Sequence, residues 1–349
     1  MKPKYGIIGC GNISRFHFNG LKKAGADIVH IADLNEKAAE PYVKEFGARF
    51  SKDYNDLIID PEVTAVSVLT SGKLHKDICL KAIQDGKDII CEKTMTNNGD
   101  EAETVVKAVL NSKSIFMTAF MKRFFPAVRK AKELLPSLGT IFSAQVRTYQ
   151  PWGNFYDAKD EGDFKFVFAS YGGAIIKCAG SHMLDMMLYM LGRPERVYSA
   201  IDYIPGTRFD RKATALFEYN KGLTVCFEAA SHPLKKIGYE RNSWDEFMQI
   251  NGVNGRLDIY TVMWDHPENN GALLVYYDNE TGNSTEYRYD AVNPFDIEME
   301  YFNQCLERRI QGEPDVVDGF NVDILIESMG LSMDKKVPIE INWRNVNKS

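Results

Sequence analysis

Residues Lys4-Tyr5-Gly6-Ile7-Ile8-Gly9-Cys10-Gly11-Asn12-Ile13-Ser14 limit most sharply what this chain can fold into. A short apolar run stops at a Gly-x-Gly pair, and a helical pattern opens directly after it. Strand, tight turn and helix start in that order aim backbone amides at a pyrophosphate. Gly9 permits the sharp turn, and Gly11 lets backbone come close to the phosphates. The amides and dipole of the helix start then favour the anion. Ser14 stands at the third glycine position, small enough for helix to pack near strand but a departure from the fingerprint. Alone, such a motif is weak.

Its context is the next strand pattern, Asp27-Ile28-Val29-His30-Ile31-Ala32, which ends in Asp33, 22 residues after Gly11. An acidic side chain about 20 residues on bonds the adenosine ribose hydroxyls. A carboxylate there repels the extra phosphate of NADP, and no Arg or Lys follows at 34 or 35 to receive it. The expected cofactor is therefore NAD rather than NADP. Asp33 acting only as N-cap of the helix begun by Asn35 and Glu36 is the competing reading.

Over the first 120 or so residues, apolar runs alternate with helical segments, the signature of a parallel sheet with crossover helices. Further strands are expected at 64–70, 87–91 and 114–120, with helices over 75–85 and 99–113. The strands are mostly apolar runs, as burial on both faces demands. From Lys122 the pattern changes. A helix near 126–135 and a strand over 140–147 are followed by a helical region around 175–191. Six strand-like runs then follow, between 196 and 277, before two helices (296–311, 322–333) and a last strand at 337–341. The expected class is α/β: a doubly wound parallel (Rossmann) sheet over 1–121, then over 122–349 an α+β domain with an open, mostly antiparallel sheet. A substrate cleft is expected between the domains, at the carboxyl edge of the parallel strands.

With 349 residues, two domains are the default. A net charge of −6 argues against nucleic acid as a partner. There is no run of 18 apolar residues, so no membrane span is expected. Met1-Lys2-Pro3-Lys4 leads straight into the first strand, so no signal peptide is expected. The six cysteines are scattered without metal-like spacing, which suggests no metal site and a reducing compartment, the cytoplasm.

Two segments could carry chemistry. Lys93, in Cys91-Glu92-Lys93-Thr94, directly follows a strand and would place a cation able to stabilise an alkoxide or share a proton. A solvated lysine at a strand end is the equal alternative. In the segment from Gly172 to Tyr189, Cys178, His182, Asp185 and Tyr189 fall in one narrow stripe at 100° per residue, amid Met and Leu. A polar stripe on a buried helix must face a partner or a polar cleft. His182 suits proton transfer near neutrality; a core histidine bonded to backbone is the alternative. Tyr149 to Tyr156, with Trp152, is an aromatic segment suited to stacking on a sugar ring or to packing at a core or interface.

Across essentially its whole length the chain resembles the glucose–fructose oxidoreductase/inositol dehydrogenase (Gfo/Idh/MocA) family. The matching pieces come in order: the Gly9 to Ile13 turn and Asp33; Thr70-Ser71-Gly72-Lys73-Leu74-His75, similar to a Thr-Pro-Asn-x-x-His loop; Glu92-Lys93-Thr94 at a Glu-Lys-Pro motif; Arg123-Phe124-Phe125-Pro126; and the Gly172 to Asp185 segment, similar to GGxxxxDxGxHxxD. An acidic-aromatic helix (Glu298 to Phe302) and Asp318-Gly319 fit the ending. The resemblance implies NAD contacts at Gly9, Cys10, Gly11, Asn12, Ile13, Asp33, Leu34, Thr70, Ser71, His75, Glu92 and Lys93. It implies Lys93 and His182 as the catalytic pair, and Asp185, Cys178 and Lys93 at the substrate, with Trp152 and Tyr156 as added candidates. The implied reaction is NAD-dependent oxidation of a secondary alcohol on a sugar, sugar derivative or cyclitol. A homodimer or homotetramer joined through the second domain's sheet is implied as well. Cys178 stands where many members carry an aspartate supporting the histidine, and Thr94 replaces a proline. Both changes leave room for an NAD- or sugar-sensing regulator on the same fold, or for a reductase of a non-sugar carbonyl or imine.

Overall fold

Strands apolar on both faces need cover on both, and Ala65–Val68, Asp88–Glu92 and Phe116–Ala119 of the first sheet receive it. The computed structural model describes residues 2–151, 174–263 and 270–346. Strands β1 (Lys4–Ile8), β2 (Asp27–Ala32), β3 (Arg49–Ser51), β4 (Ala65–Val68), β5 (Asp88–Glu92) and β6 (Phe116–Ala119) form one parallel sheet in the order β3-β2-β1-β4-β5-β6. Every residue of β4, β5 and β6 is buried. Helices α1 (Ser14–Lys23), α2 (Glu36–Phe46), α3 (Tyr54–Ile58), α4 (Gly72–Gln84) and α5 (Gly99–Leu110) supply the crossovers. The order reverses between β1 and β4, and ligands of such sheets bind outside the carboxyl ends at that reversal. β3 and α3 were not expected, because Arg-Phe-Ser and a five-residue helix are too short to show a period.

The chain divides into two compact units. The first comprises residues up to Met121, Phe295–Asp323 and the segment from Trp343. Within it, helix α8 (Pro294–Arg308) covers α1: the Phe16 and Phe295 rings stack at 4.8 Å, and a Cβ at Gly20 would lie 2.7 Å from Met299. Gly319 is a close-approach glycine too, since a Cβ there would lie 2.5 Å from Thr118 Oγ1.

The second unit holds Lys122–Pro294 and Ile324–Asn342. Its sheet has nine strands: β7 (Ile141–Gln150), β8 (Arg196–Tyr203), β9 (Asp210–Glu218), β10 (Thr224–Ser231), β11 (Asp245–Gly252), β12 (Gly255–Thr261), β13 (Leu273–Asp278), β14 (Ser284–Arg288) and β15 (Ile339–Glu340). They run β14-β13-β12-β11-β7-β10-β9-β8-β15, with only β7 and β10 parallel. The mostly antiparallel expectation is met, with more strands than the apolar runs suggest. β14, Ser-Thr-Glu-Tyr-Arg, is nearly all exposed and carries no apolar signal. One face of the sheet is packed: Ala144, Val146, Thr148 and Gln150 of β7 alternate with half-exposed neighbours. Helices α6 (Pro126–Leu134), α7 (Ser181–Leu191) and the part of α9 (Val316–Lys335) from Ile324 belong to this unit. Ser199 fixes β8 to α9: its amide donates to Ser332 Oγ at 3.0 Å, and its hydroxyl donates to the Met329 carbonyl at 2.6 Å. Among the described residues no helix is long and apolar enough to cross a membrane.

Candidate active site

Four adjacent parallel strands deliver the expected cofactor residues to one edge of the first sheet. Gly9 and Cys10 follow β1, Asp33 follows β2, Thr70 and Ser71 follow β4, and Glu92 ends β5 with Lys93 directly after it. Gly9 has φ +101°, and a Cβ there would lie 3.0 Å from the Leu69 carbonyl, so only glycine makes this turn without strain. At Gly11 an added Cβ would meet nothing of the protein within 4 Å, so the chain itself does not require glycine there. Ser14 is fully buried, and its hydroxyl donates to the Gly11 carbonyl at 2.7 Å, closing the turn onto α1. Asp33 uses both oxygens on backbone: Oδ2 accepts from the Cys10 amide at 2.6 Å and Oδ1 from the Asn35 amide at 2.6 Å. Asn35, not Asp33, is the N-cap of α2. Leu34 beside it is largely exposed. Burial, reinforced by Asp33, pushes the Cys10 thiol up to about 12, so it stays protonated at neutrality.

At the end of β5 a chain of buried polar groups reaches the Lys93 backbone. His17, at the end of the first turn of α1, sits with Nδ1 2.9 Å from Ser67 Oγ and Nε2 3.0 Å from Glu92 Oε1. The other oxygen of Glu92 accepts from the Lys93 amide at 3.1 Å. The Lys93–Thr94 peptide is cis, and both residues are buried. His75 of α4 links two loops, with Nε2 2.9 Å from the Thr70 carbonyl and Nδ1 3.0 Å from the Thr94 carbonyl. Burial lowers its pKa, against the upward pull of those carbonyls. A neutral ring donates to one of the two at a time. Thr96 is anchored in turn, its amide and hydroxyl both 2.8 Å from Asp323 Oδ2.

The second unit builds around α7. Ile176–Gly180 is a π-helical turn that runs into α7, and residues 181–188 are buried throughout. The wider turn breaks the assumed 100° spacing. Cys178 lies within that π turn, while His182, Asp185 and Tyr189 keep α-helical spacing on α7. Asp210, at the start of β9, accepts from the amides of Ala174 (2.9 Å) and Ile176 (2.6 Å), at the entry to the π turn. Burial pushes its carboxyl up to about 6. Asp185 receives a two-pronged contact from Arg123, Nε to Oδ2 at 2.8 Å and Nη2 to Oδ1 at 2.5 Å, with both residues buried. The Arg123 guanidinium also lies over the Tyr189 ring at 4.7 Å. The preceding residue, Lys122, pairs with Glu246, whose carboxylate also accepts from Thr148, Gln150 and Thr261 at 3.0, 3.0 and 2.7 Å. Trp152 and Tyr156 lie outside the described residues.

The sequence reading missed Lys122, Glu246, Asp210 and His17. A signal existed for two of them. Phe120-Met121-Lys122-Arg123-Phe124-Phe125 embeds two cations in an apolar run, and period two puts Glu246 on the packed face with Met248 and Ile250.

The residues at the first sheet's edge fit NAD. The turn glycine that the chain itself does not need, Gly11, faces open space, and the Asp33 carboxylate is held at the strand end beside it. Comparison with known proteins agrees. Residues 3–120 match the GFO_IDH_MocA model, an oxidoreductase family with an NAD-binding Rossmann fold, and residues 128–258 match the GFO/IDH/MocA C-terminal domain. The levoglucosan dehydrogenase of Pseudarthrobacter phenanthrenivorans is 29% identical over 51% of this chain, a match spanning 45% of that relative's length. The scyllo-inositol 2-dehydrogenase (NAD(+)) of Bacillus subtilis is 23% identical over 92% of this chain and 90% of its own. In fold, a levoglucosan dehydrogenase solved with NADH and levoglucosan superposes with a TM-score of 0.83 at 20% identity, covering 98% of this chain and 100% of that one. Gly-turn, Asp33 and both domain matches lead to one statement: the chain belongs to the Gfo/Idh/MocA oxidoreductase family, and its N-terminal domain is that family's NAD-binding Rossmann fold.

Proposed function

We propose that this protein is an NAD-dependent dehydrogenase acting on a secondary alcohol of a ring polyol, a sugar, sugar derivative or cyclitol. The observation that carries the reading is the buried Lys93, held at the carboxyl end of β5 on the same sheet edge as the glycine turn and Asp33. A positive charge fixed beside a dinucleotide turn suits an oxygen that becomes negative during reaction. Relatives named for levoglucosan and for inositols support a polyol substrate.

Gly9, Cys10, Gly11, Asn12 and Ile13 would hold the pyrophosphate and Asp33 the ribose. Leu34, Thr70, Ser71, His75 and Glu92 would complete the wall. When bound, NAD supplies the acceptor for the hydride. Lys93 donates a hydrogen bond to the reacting hydroxyl oxygen and stabilises its negative charge. His182 takes the hydroxyl proton on a ring nitrogen. Asp185, oriented by Arg123, accepts from a neighbouring ring hydroxyl with the lone pairs Arg123 leaves over, and Cys178 lines the same side. Six cysteines without a disulfide favour a cytoplasmic home. A homodimer or homotetramer through the open face of the nine-stranded sheet is part of the proposal.

The test is NADH absorbance with NAD and a panel of cyclitols, free sugars and glycosides, for wild type and His182→Ala. Loss of a proton-transfer group costs roughly 10²–10⁴ in rate. His182→Ala should therefore lose about that much turnover while its NAD affinity stays near wild type. Undiminished turnover in that variant would remove His182 from the chemistry. Tight NAD binding by the wild type without turnover on any compound would instead indicate a sensing role.

A further inference from the structure

A carboxylate buried at the end of an apolar strand needs partners for its lone pairs. Those of Glu92 are the Lys93 amide and the His17 ring. An ionised carboxylate only accepts, so His17 Nε2 donates to it. Nδ1 is then an acceptor, which the Ser67 hydroxyl, 2.9 Å away, satisfies by donating. Ser67, His17 and Glu92 are all buried, so this bonding fixes both the tautomer and the ring's plane without help from water. His17 comes three residues after Ser14, on the helix whose start would cradle the pyrophosphate, and its ring tilts against Phe295 at 6.1 Å. Packing on Phe295 needs only an apolar ring. The bond given to Glu92 and the bond received from Ser67 need a polar side chain carrying both a donor and an acceptor, as the neutral imidazole does.

We propose that His17 is a positioning residue for Lys93: through Glu92 it fixes the backbone from which the lysine projects, and it ties that placement to the dinucleotide-binding helix. The inference rests on the reading of Lys93 as the group that meets the reacting oxygen. α1 carries the cofactor turn at one end and His17 one turn later, so cofactor seating and lysine placement share one rigid element. Ser67 on β4 holds the far side of the ring, which makes the link a bridge from β4 across to β5.

The experiment uses the full chain with His17→Leu, His17→Gln and Ser67→Ala. A misplacement of about 1 Å at a reacting group costs on the order of 10²-fold. His17→Leu should thus lower kcat about 10- to 100-fold while NAD affinity and substrate KM change less than about threefold. Glutamine, whose terminal amide can donate to Glu92 as Nε2 does, should recover most of the loss. Ser67→Ala should cost less than His17→Leu, and it carries the test if the leucine variant fails to fold. Wild-type kcat in His17→Leu, or a kcat loss that glutamine does not restore, overturns the proposal. So does a fall in NAD affinity as large as the fall in kcat. Should the wild type turn over no polyol, the reading of Lys93 has failed by itself, and positioning is then read by acetic anhydride labelling of Lys93, quantified by mass spectrometry. Several-fold faster labelling in His17→Leu, reversed by glutamine, supports the link. Unchanged labelling ends it.

Discussion

Asp33 spends both carboxylate oxygens on its own chain, bonding the Cys10 amide of the glycine turn and the Asn35 amide at the entry to α2. One residue thereby shapes the turn and, on the proposed reading, offers its charge to the ribose. Hydrogen bonds to a charged group are worth about 1.5–3 kcal/mol, which corresponds to roughly 10- to 150-fold in affinity. Asp33→Asn should weaken NAD binding by about that factor and narrow the preference over NADP, both read by fluorescence titration. Lys93→Met should cut turnover by at least about 10²-fold with NAD binding retained, measured by NADH absorbance. Asp33 and Lys93 could be found in the sequence because each sits at a fixed offset from a strand end. Which buried groups pair with which could not. His17 and Glu92 are 75 residues apart, and Lys122 and Glu246 are 124 apart. No local pattern links groups that meet only when strands are laid side by side.

Helix α7 shows what an element adds to its residues. Its apolar circumference foretold burial, and its His182/Asp185 face foretold a polar partner, which for Asp185 is Arg123. The π turn ahead of it was not foreseeable, since Ile-Lys-Cys-Ala-Gly reads as ordinary helix. Removing one partner of a buried ion pair costs about 3–5 kcal/mol because the other charge is left unpaired. Arg123→Leu should therefore lower stability by about that amount in urea denaturation. Arg129→Leu on neighbouring α6, whose guanidinium only lies over the Phe124 ring, should cost far less. Asp210 holds the amides at the entry to the π turn, and burial raises its carboxyl to about 6 from an ordinary 3.8. Between those values the folded protein keeps a proton that the unfolded chain has released. The group thus contributes stability that is fully present below the lower value and is lost as pH rises through about 6, on the order of 3 kcal/mol in all. Asp210→Asn removes this dependence, so its thermal midpoint should fall less than that of the wild type between pH 4 and 7.

On the scale of the whole molecule, fold class was readable because hydrophobic period and strand order are global signals that survive local errors. Runs apolar on both faces gave the parallel sheet, and a succession of strand-like runs gave the mostly antiparallel one, though three-residue β3 and polar β14 escaped. The open face of the nine-stranded sheet is where composition and topology bear on assembly. Tyr198 and Leu216 are register partners on adjacent strands, 45% and 37% exposed, and exposed Cys226 pairs with Leu216 on the next strand. Beside them lie Tyr149, bonded to Glu228 at 2.9 Å, and Arg147, paired with Asp245 at 3.0 Å. Aromatic and aliphatic side chains mixed with arginine and already-paired carboxylates have the composition of an interface core with a polar rim. A face this wide can supply the roughly 1,000 Å² that a specific interface buries. The proposed assembly predicts a dimer or tetramer mass by light scattering at tens of micromolar protein. Leu216→Arg would place an unpaired cation against its own copy across a twofold axis, where like charges and lost apolar area both oppose association. That variant should elute as a monomer with its Rossmann domain still binding NAD. A wild-type monomer, or an unchanged mass for Leu216→Arg, would move the contact away from this face.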